Sequence, residues 1–284
     1  MKGELISLAI PFFFVLILVE WAASALLKRK VYRLNDSLND LSCGILQQLL
    51  ELFIKGALFG GYVLIWEFAR VQTIEASSWW VWVLCFLLVD LIYYWFHRLS
   101  HEVNFLWAAH VVHHQSEEYN LTVALRQSAF QGLFSWFFYI PLAILGFHPL
   151  VFVTCSAINT LYQFWIHTRL VGKMGPFEWL FNTPSHHRVH HGRNPQYIDR
   201  NHAGTLIIWD KIFGTFEPEG EPVVYGITKP LASWNPLQAN VQTWQELAQQ
   251  AAEYPKLWDK IRVFLKPPGW RPKAFGGKQY APPI

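Results

Sequence analysis

The segment His97-Arg98-Leu99-Ser100-His101-Glu102, followed by Trp107-Ala108-Ala109-His110-Val111-Val112-His113-His114-Gln115, decides how the rest of the chain is read. It holds a His-x-x-x-His pair and then His-x-x-His-His, and the second spacing returns at His187-Arg188-Val189-His190-His191. On a helix, positions i, i+3 and i+4 share one face, so each group is expected to aim its imidazoles at a common point. Imidazole ligates iron, copper, nickel and zinc. A spacing that recurs with only 12 His in 284 residues marks a metal centre rather than chance.

Composition sets the surroundings. The chain is 52% hydrophobic and only 15% charged, well below the roughly 25% charged residues of soluble domains. A net charge of +3, with no basic run alternating with aromatics, excludes a nucleic-acid partner. Cys43, Cys85 and Cys155 are scattered and form neither a disulfide framework nor a zinc or iron–sulfur pattern.

Five apolar runs are expected to be helices: residues 5–27, 49–68, 79–96, 130–147 and 149–166. The fold class is thus an all-α, multi-pass membrane bundle of four to five spans, with a His-rich helical cap. Lys28-Arg29-Lys30 after the first run places residues 28–44 on the cytoplasmic side. Counting crossings then puts eleven of the 12 His on the cytoplasmic face, with His148 alone outside in a turn. The expected units are residues 1–78 as N-terminal spans, 79–228 as the catalytic domain, and 229–284 as an amphipathic, Pro-rich tail.

Polar stripes interrupt three of these runs. Asp90, Tyr94, His97 and His101 share a face of the third, and Ser156, Asn159, Gln163 and His167 share one of the fifth. Polar groups in hydrocarbon face the bundle interior, and these two stripes are expected to line a cavity reaching the metals, with Asp90 supporting a ligand. Gln131, Ser135 and Tyr139 on the fourth read as plain helix–helix hydrogen bonding. Asn120 and Arg126 fall just before that helix, where they are expected to meet a lipid headgroup or a reductant. Residues 238–252 read as an amphipathic helix. Leu257, Ile261, Phe264 and Leu265 form the apolar face of an interfacial one.

Eight or more imidazoles in one place exceed a structural zinc site and suit two ions. A transporter would put its ligands at mid-membrane rather than at helix ends, which leaves catalysis, with a non-catalytic metal-binding protein as the alternative. Without a Gly-x-Gly-x-x-Gly or a cysteine cluster, reducing equivalents must come from another molecule.

The three groups His97-x-x-x-His101, His110-x-x-His113-His114 and His187-x-x-His190-His191 resemble the His boxes of the fatty acid hydroxylase/sterol desaturase superfamily. Tyr94-Trp-Phe-His-Arg, Glu118-Tyr-Asn-Leu-Thr, Asn182-Thr-Pro-Ser-His-His and Trp209-Asp-Lys-Ile-Phe-Gly are most similar to its alkylglycerol monooxygenase-like members. The resemblance implies a membrane-bound, non-haem di-iron enzyme that hydroxylates or desaturates a lipid with O2. Its nearest members imply ether-lipid cleavage with tetrahydrobiopterin as the external electron donor. Sterol, fatty acid and carotenoid hydroxylases or desaturases of the superfamily are the alternatives. The implied ligands are His97, His101, His110, His113, His114, His167, His187, His190 and His191. Glu102 is expected to orient His101 or touch a metal. His186 lies on another part of its helix face, and His202, a further ligand candidate, stands where the superfamily commonly has an aromatic. Gln163 replaces a superfamily His, which implies one ligand fewer.

Overall fold

The computed structural model describes residues 2–277, and those residues are helical apart from turns, loops and one isolated bridge between Phe181 and Leu206. Residues 278–284 of the expected Pro-rich tail lie outside the described residues. The long elements are α1 (Lys2–Leu26), α2 (Leu34–Ala69) and α3 (Trp79–Glu102), followed by α4 (Asn104–His114), α5 (Gln131–Leu145) and α6 (Pro149–Trp165). Then come α7 (Pro184–His190), α8 (Ile208–Phe213), α9 (Pro236–Ala252) and α10 (Leu257–Leu265).

Three helices, α1, α2 and α3, are long and apolar enough to cross a membrane. Phe12, Leu18 and Trp21 on α1, and Leu52, Phe53 and Phe68 on α2, stand exposed, as side chains facing lipid do. The expected fourth and fifth spans are shorter. With 15 and 17 residues, α5 and α6 reach only about 22 and 26 Å, against a hydrocarbon core of about 30 Å. They form a hairpin that packs on α2 and α3. Its turn needs Gly146, whose φ is +99° and whose added Cβ would stand 2.0 Å from the Gln72 carbonyl oxygen.

The hairpin turn fixes one end of the bundle. Tyr62 Oη and Trp66 Nε1 donate to the Phe147 and Gly146 carbonyls, each at 3.1 Å. His148 caps α6 there by accepting from the Leu150 N–H at 3.2 Å. From that end α3 runs to His97 and His101, and α6 leads to His167. The expected metal ligands therefore gather at the opposite end.

Two boundaries differ from expectation. The second helix begins at Leu34 rather than Leu49 and continues unbroken for 36 residues. Its first turns are polar, yet Asp36, Asn39 and Asp40 are buried, because loops beyond α4 supply partners such as Ser116, Thr122 and Arg126. On α10, Leu257, Ile261 and Leu265 are exposed as expected, but Phe264 turns inward to a cluster built on Ala108, Leu247 and Val263. Asn104 pins that helix by donating from Nδ2 to the Val263 carbonyl at 2.7 Å.

Candidate metal centre

The nine expected histidines converge on two points, which fits the two ions expected. His97, His101, His110, His114 and His190 form one group, and His113, His167, His187 and His191 form another. Within each group the ligand nitrogens lie within 4.8 Å of one another, and all nine residues are buried. Each His-x-x-His-His motif divides between the groups in opposite senses. His110 and His114, one turn apart, enter the first while His113 enters the second. His187 and His191 enter the second while His190 enters the first. The groups share a wall, where the His114 and His191 rings stack at 4.4 Å.

Carbonyl oxygens set the tautomers. Nδ1 of His97 donates to the His202 carbonyl at 2.7 Å, and Nδ1 of His113 to that of Arg126 at 3.0 Å. Likewise His167 Nδ1 donates to the Gln163 carbonyl at 2.7 Å, and His190 Nδ1 to that of Arg200 at 3.0 Å. His110 Nδ1 donates to Gln131 Oε1 at 3.1 Å. Each of these rings is then left with a bare lone pair on Nε2.

Those lone pairs face each other. In the first group His97 Nε2 lies 2.9 Å from His110 Nε2, and in the second His113 Nε2 lies 3.2 Å from His167 Nε2. Protonation would relieve the contact, but burial drives His110 and His167 well below the usual imidazole range and His113 down to about 4. Further buried nitrogens have no partner, among them both of His101 and Nε2 of His190 and His191. Neutral imidazoles with converging lone pairs fit a cation. Nitrogens about 2.1 Å from a common ion stand no more than roughly 4.2 Å apart, so groups whose nitrogens lie within 4.8 Å of one another need contract only slightly to hold one.

Other expected site residues are placed elsewhere. Glu102 does not reach the groups: it accepts from Arg98 Nε at 2.9 Å, and its side chain is 39% exposed. The carboxylate beside His101 is that of Asp199, 3.5 Å from Nδ1, which no spacing in the sequence announced. Arg126 is not at an interface. It is 1% exposed, donates to the Val112 carbonyl at 2.6 Å and to Gln115 Oε1 at 2.9 Å, and pairs with Asn39 and Asp40. Asn120 is equally enclosed, donating to the Val31 carbonyl at 2.8 Å. His186 sits away from the groups with its ring edge on Phe216.

The polar stripes of α3 and α6 close on each other instead of lining a cavity. Asp90 accepts from Asn159 Nδ2 at 2.5 Å, the Thr205 and Leu206 N–H groups at 2.8 and 3.0 Å, and Trp209 Nε1 at 2.8 Å. It touches no ligand imidazole but clasps the 202–210 segment over the first group. Gly204 permits that approach, since a Cβ there would meet Tyr93 at 2.8 Å and Asp90 at 3.1 Å. Conversely Gln131, read as packing only, orients His110.

Comparison with known proteins agrees with this geometry. Residues 82–215 match the fatty acid hydroxylase family model. The chain is 47% identical over 269 residues to alkylglycerol monooxygenase of Xenopus tropicalis, covering 95% of this chain and 60% of that protein. It is 47% identical to the Homo sapiens protein of the same name, with the same coverage of both chains. An ornithine lipid hydroxylase of Rhizobium tropici is 31% identical over 153 residues, 53% of this chain and 46% of that one. The chain thus spans about 60% of the length of the alkylglycerol monooxygenases it matches. No solved structure gives a significant match. With two buried imidazole groups gathered beside helices that can cross a membrane, residues 82–215 of this chain are similar to the fatty acid hydroxylase family.

Proposed function

We propose that this chain is a membrane-bound di-iron monooxygenase that hydroxylates a lipid beside an ether oxygen and so cleaves an alkylglycerol. The observation that carries the metal pair is the facing of Nε2 lone pairs in both groups, at 2.9 and 3.2 Å. Support for the substrate is the 47% identity to two alkylglycerol monooxygenases over 95% of this chain. When bound, the metals would supply activation of O2. The protein's own part is positioning. Carbonyls of residues 126, 163, 200 and 202 hold four rings in one tautomer, and burial keeps the imidazoles neutral and water away. Electrons come from outside, with tetrahydrobiopterin as the proposed donor.

The catalytic unit on this reading is residues 79–228, braced by α2 and α9, which also pack on each other. Iron-loaded protein given alkylglycerol, O2 and reduced pterin should release fatty aldehyde, and release should stop when any one of the three is withheld. Oxidation of a sterol or fatty acyl lipid with alkylglycerol left untouched would keep the family and overturn the substrate.

The metal end is proposed to face the cytoplasm. Lys28-Arg29-Lys30 lies at that end, where Arg169 Nη2 donates to the Lys30 carbonyl at 3.4 Å, and basic clusters stay on the cytoplasmic side. The native cysteines are buried, so Ser77→Cys and Gln196→Cys, both at exposed positions, report sidedness cleanly. A membrane-impermeant thiol reagent should label the first from outside and the second only after permeabilisation. Labelling of both from one side would refute the orientation.

A further inference from the structure

We propose that His202 is a sixth imidazole ligand of the first group, closing that ion's coordination and leaving the four-imidazole second group as the open metal position. The inference rests on the two-metal reading above.

His202 is 0% exposed, and neither of its ring nitrogens has a hydrogen-bond partner. A buried polar atom without a partner costs roughly 1–3 kcal/mol, so a ring with two such atoms is a poor filler where Phe would serve. Its ring centroid lies 5.0 Å from that of His101, 5.6 Å from His190 and 5.7 Å from His97. Rings within the first group are separated by similar distances, from 4.3 Å for His97 and His190 to 6.5 Å for His110 and His190. His202 packs on the same group as its neighbours do.

Its backbone is held from both sides. The His202 and Ala203 N–H groups donate to Asp210 at 2.8 Å each, and the His202 carbonyl accepts from His97. Just before it, Asn201 takes a left-handed φ of 56° and is locked by side-chain bonds to the His186 and Glu217 carbonyls. A strained residue that is so firmly tied indicates a positioned neighbour. The ring's nitrogens stand outside the 4.8 Å grouping of the other five, so a side-chain rotation is needed to bring one in.

Six donors complete an octahedral ion, whereas the second group has four imidazoles. Gln163 brings no imidazole to it, and its Nε2 donates to Asn159 Oδ1 at 2.8 Å and to the Asn159 carbonyl at 3.2 Å. A site with free positions is the one a reactant can reach.

The test uses protein produced with cobalt(II) in place of iron, because six-coordinate cobalt(II) absorbs weakly in the visible and four- or five-coordinate cobalt(II) strongly. A timed chelator should remove the second-group ion first, leaving one-cobalt protein with weak bands. His202→Phe should strengthen those residual bands several-fold and release the remaining ion at least about tenfold faster. His202→Asn, smaller and polar, is read the same way if the Phe variant does not fold. Strong bands in the one-cobalt parent protein, or variants identical to the parent, would overturn the role of His202. A parent protein that holds no ions, with His101→Ala no different from it, would instead overturn the two-metal reading.

Discussion

Replacing His113 and His187 together by Ala should lower the bound metal from two ions per chain to one and abolish turnover. Both belong to the four-membered group, so the double variant leaves two imidazoles where an ion needs at least three protein ligands to stay. The matched change in the first group, His101→Ala with His114→Ala, leaves three of its five members and should keep more of its metal. A catalytic metal contributes several kcal/mol to the transition state, which at 1.36 kcal/mol per decade is a loss of roughly a thousandfold or more. Metal analysis of detergent-purified protein, paired with aldehyde release, measures both effects. A double variant with two ions and full activity would refute the metal assignment.

Arg126→Ala should destabilise the protein by about 3–5 kcal/mol, the usual cost of removing one partner of a buried ion pair. The guanidinium lies among Asp40, Asn39, Gln115 and the Val112 carbonyl, joining the polar start of α2 to the end of α4. Without it the Asp40 carboxylate stays buried with Thr122 as its remaining side-chain partner. The damage reaches the metals because the Arg126 carbonyl orients His113. Arg126→Met combined with Asp40→Leu removes both charges and should recover much of the loss. Thermal inactivation in detergent or nanodiscs resolves the series. Equal stability for the parent and Arg126→Ala would show that the buried cation is dispensable.

What the sequence disclosed follows from which interactions are local. While His167 was supplied by the resemblance, eight of the nine candidate ligands were legible because they recur at spacings of three and four along helices. The division of each motif between two ions was not, since it depends on how α4 and α7 face each other. Long apolar stretches announced α1 and α3. The first half of α2 was hidden because Asp36, Asn39 and Asp40 read as an exposed cytoplasmic loop, though their i, i+3, i+4 spacing marked a helix face. Asn120 and Arg126 were misplaced for a related reason. A polar residue beside a membrane span suggests the interface, and only tertiary contacts reveal one enclosed among other polar groups. Glu102 had the local position for supporting His101, but the α3 helix turns it toward Arg98. Asp199 reaches His101 from nearly a hundred residues away.

If each group holds an ion, the unequal sharing of the motifs has a consequence for the order in which the ions are acquired. As the chain leaves the ribosome, four of the five residues of the first group, His97, His101, His110 and His114, have been made by position 114. At that point the second group has only His113, and it waits for His167, His187 and His191. At ordinary synthesis rates of about 5–20 residues per second, the delay lasts on the order of several seconds. A nascent chain can therefore capture its first ion while the later helices are still being made. The second ion must wait until α7 has docked, and the same movement brings His190 to the first group. On the two-metal reading, loading would follow the order of synthesis, and a cell short of the metal would accumulate protein holding one ion rather than a mixture of empty and full.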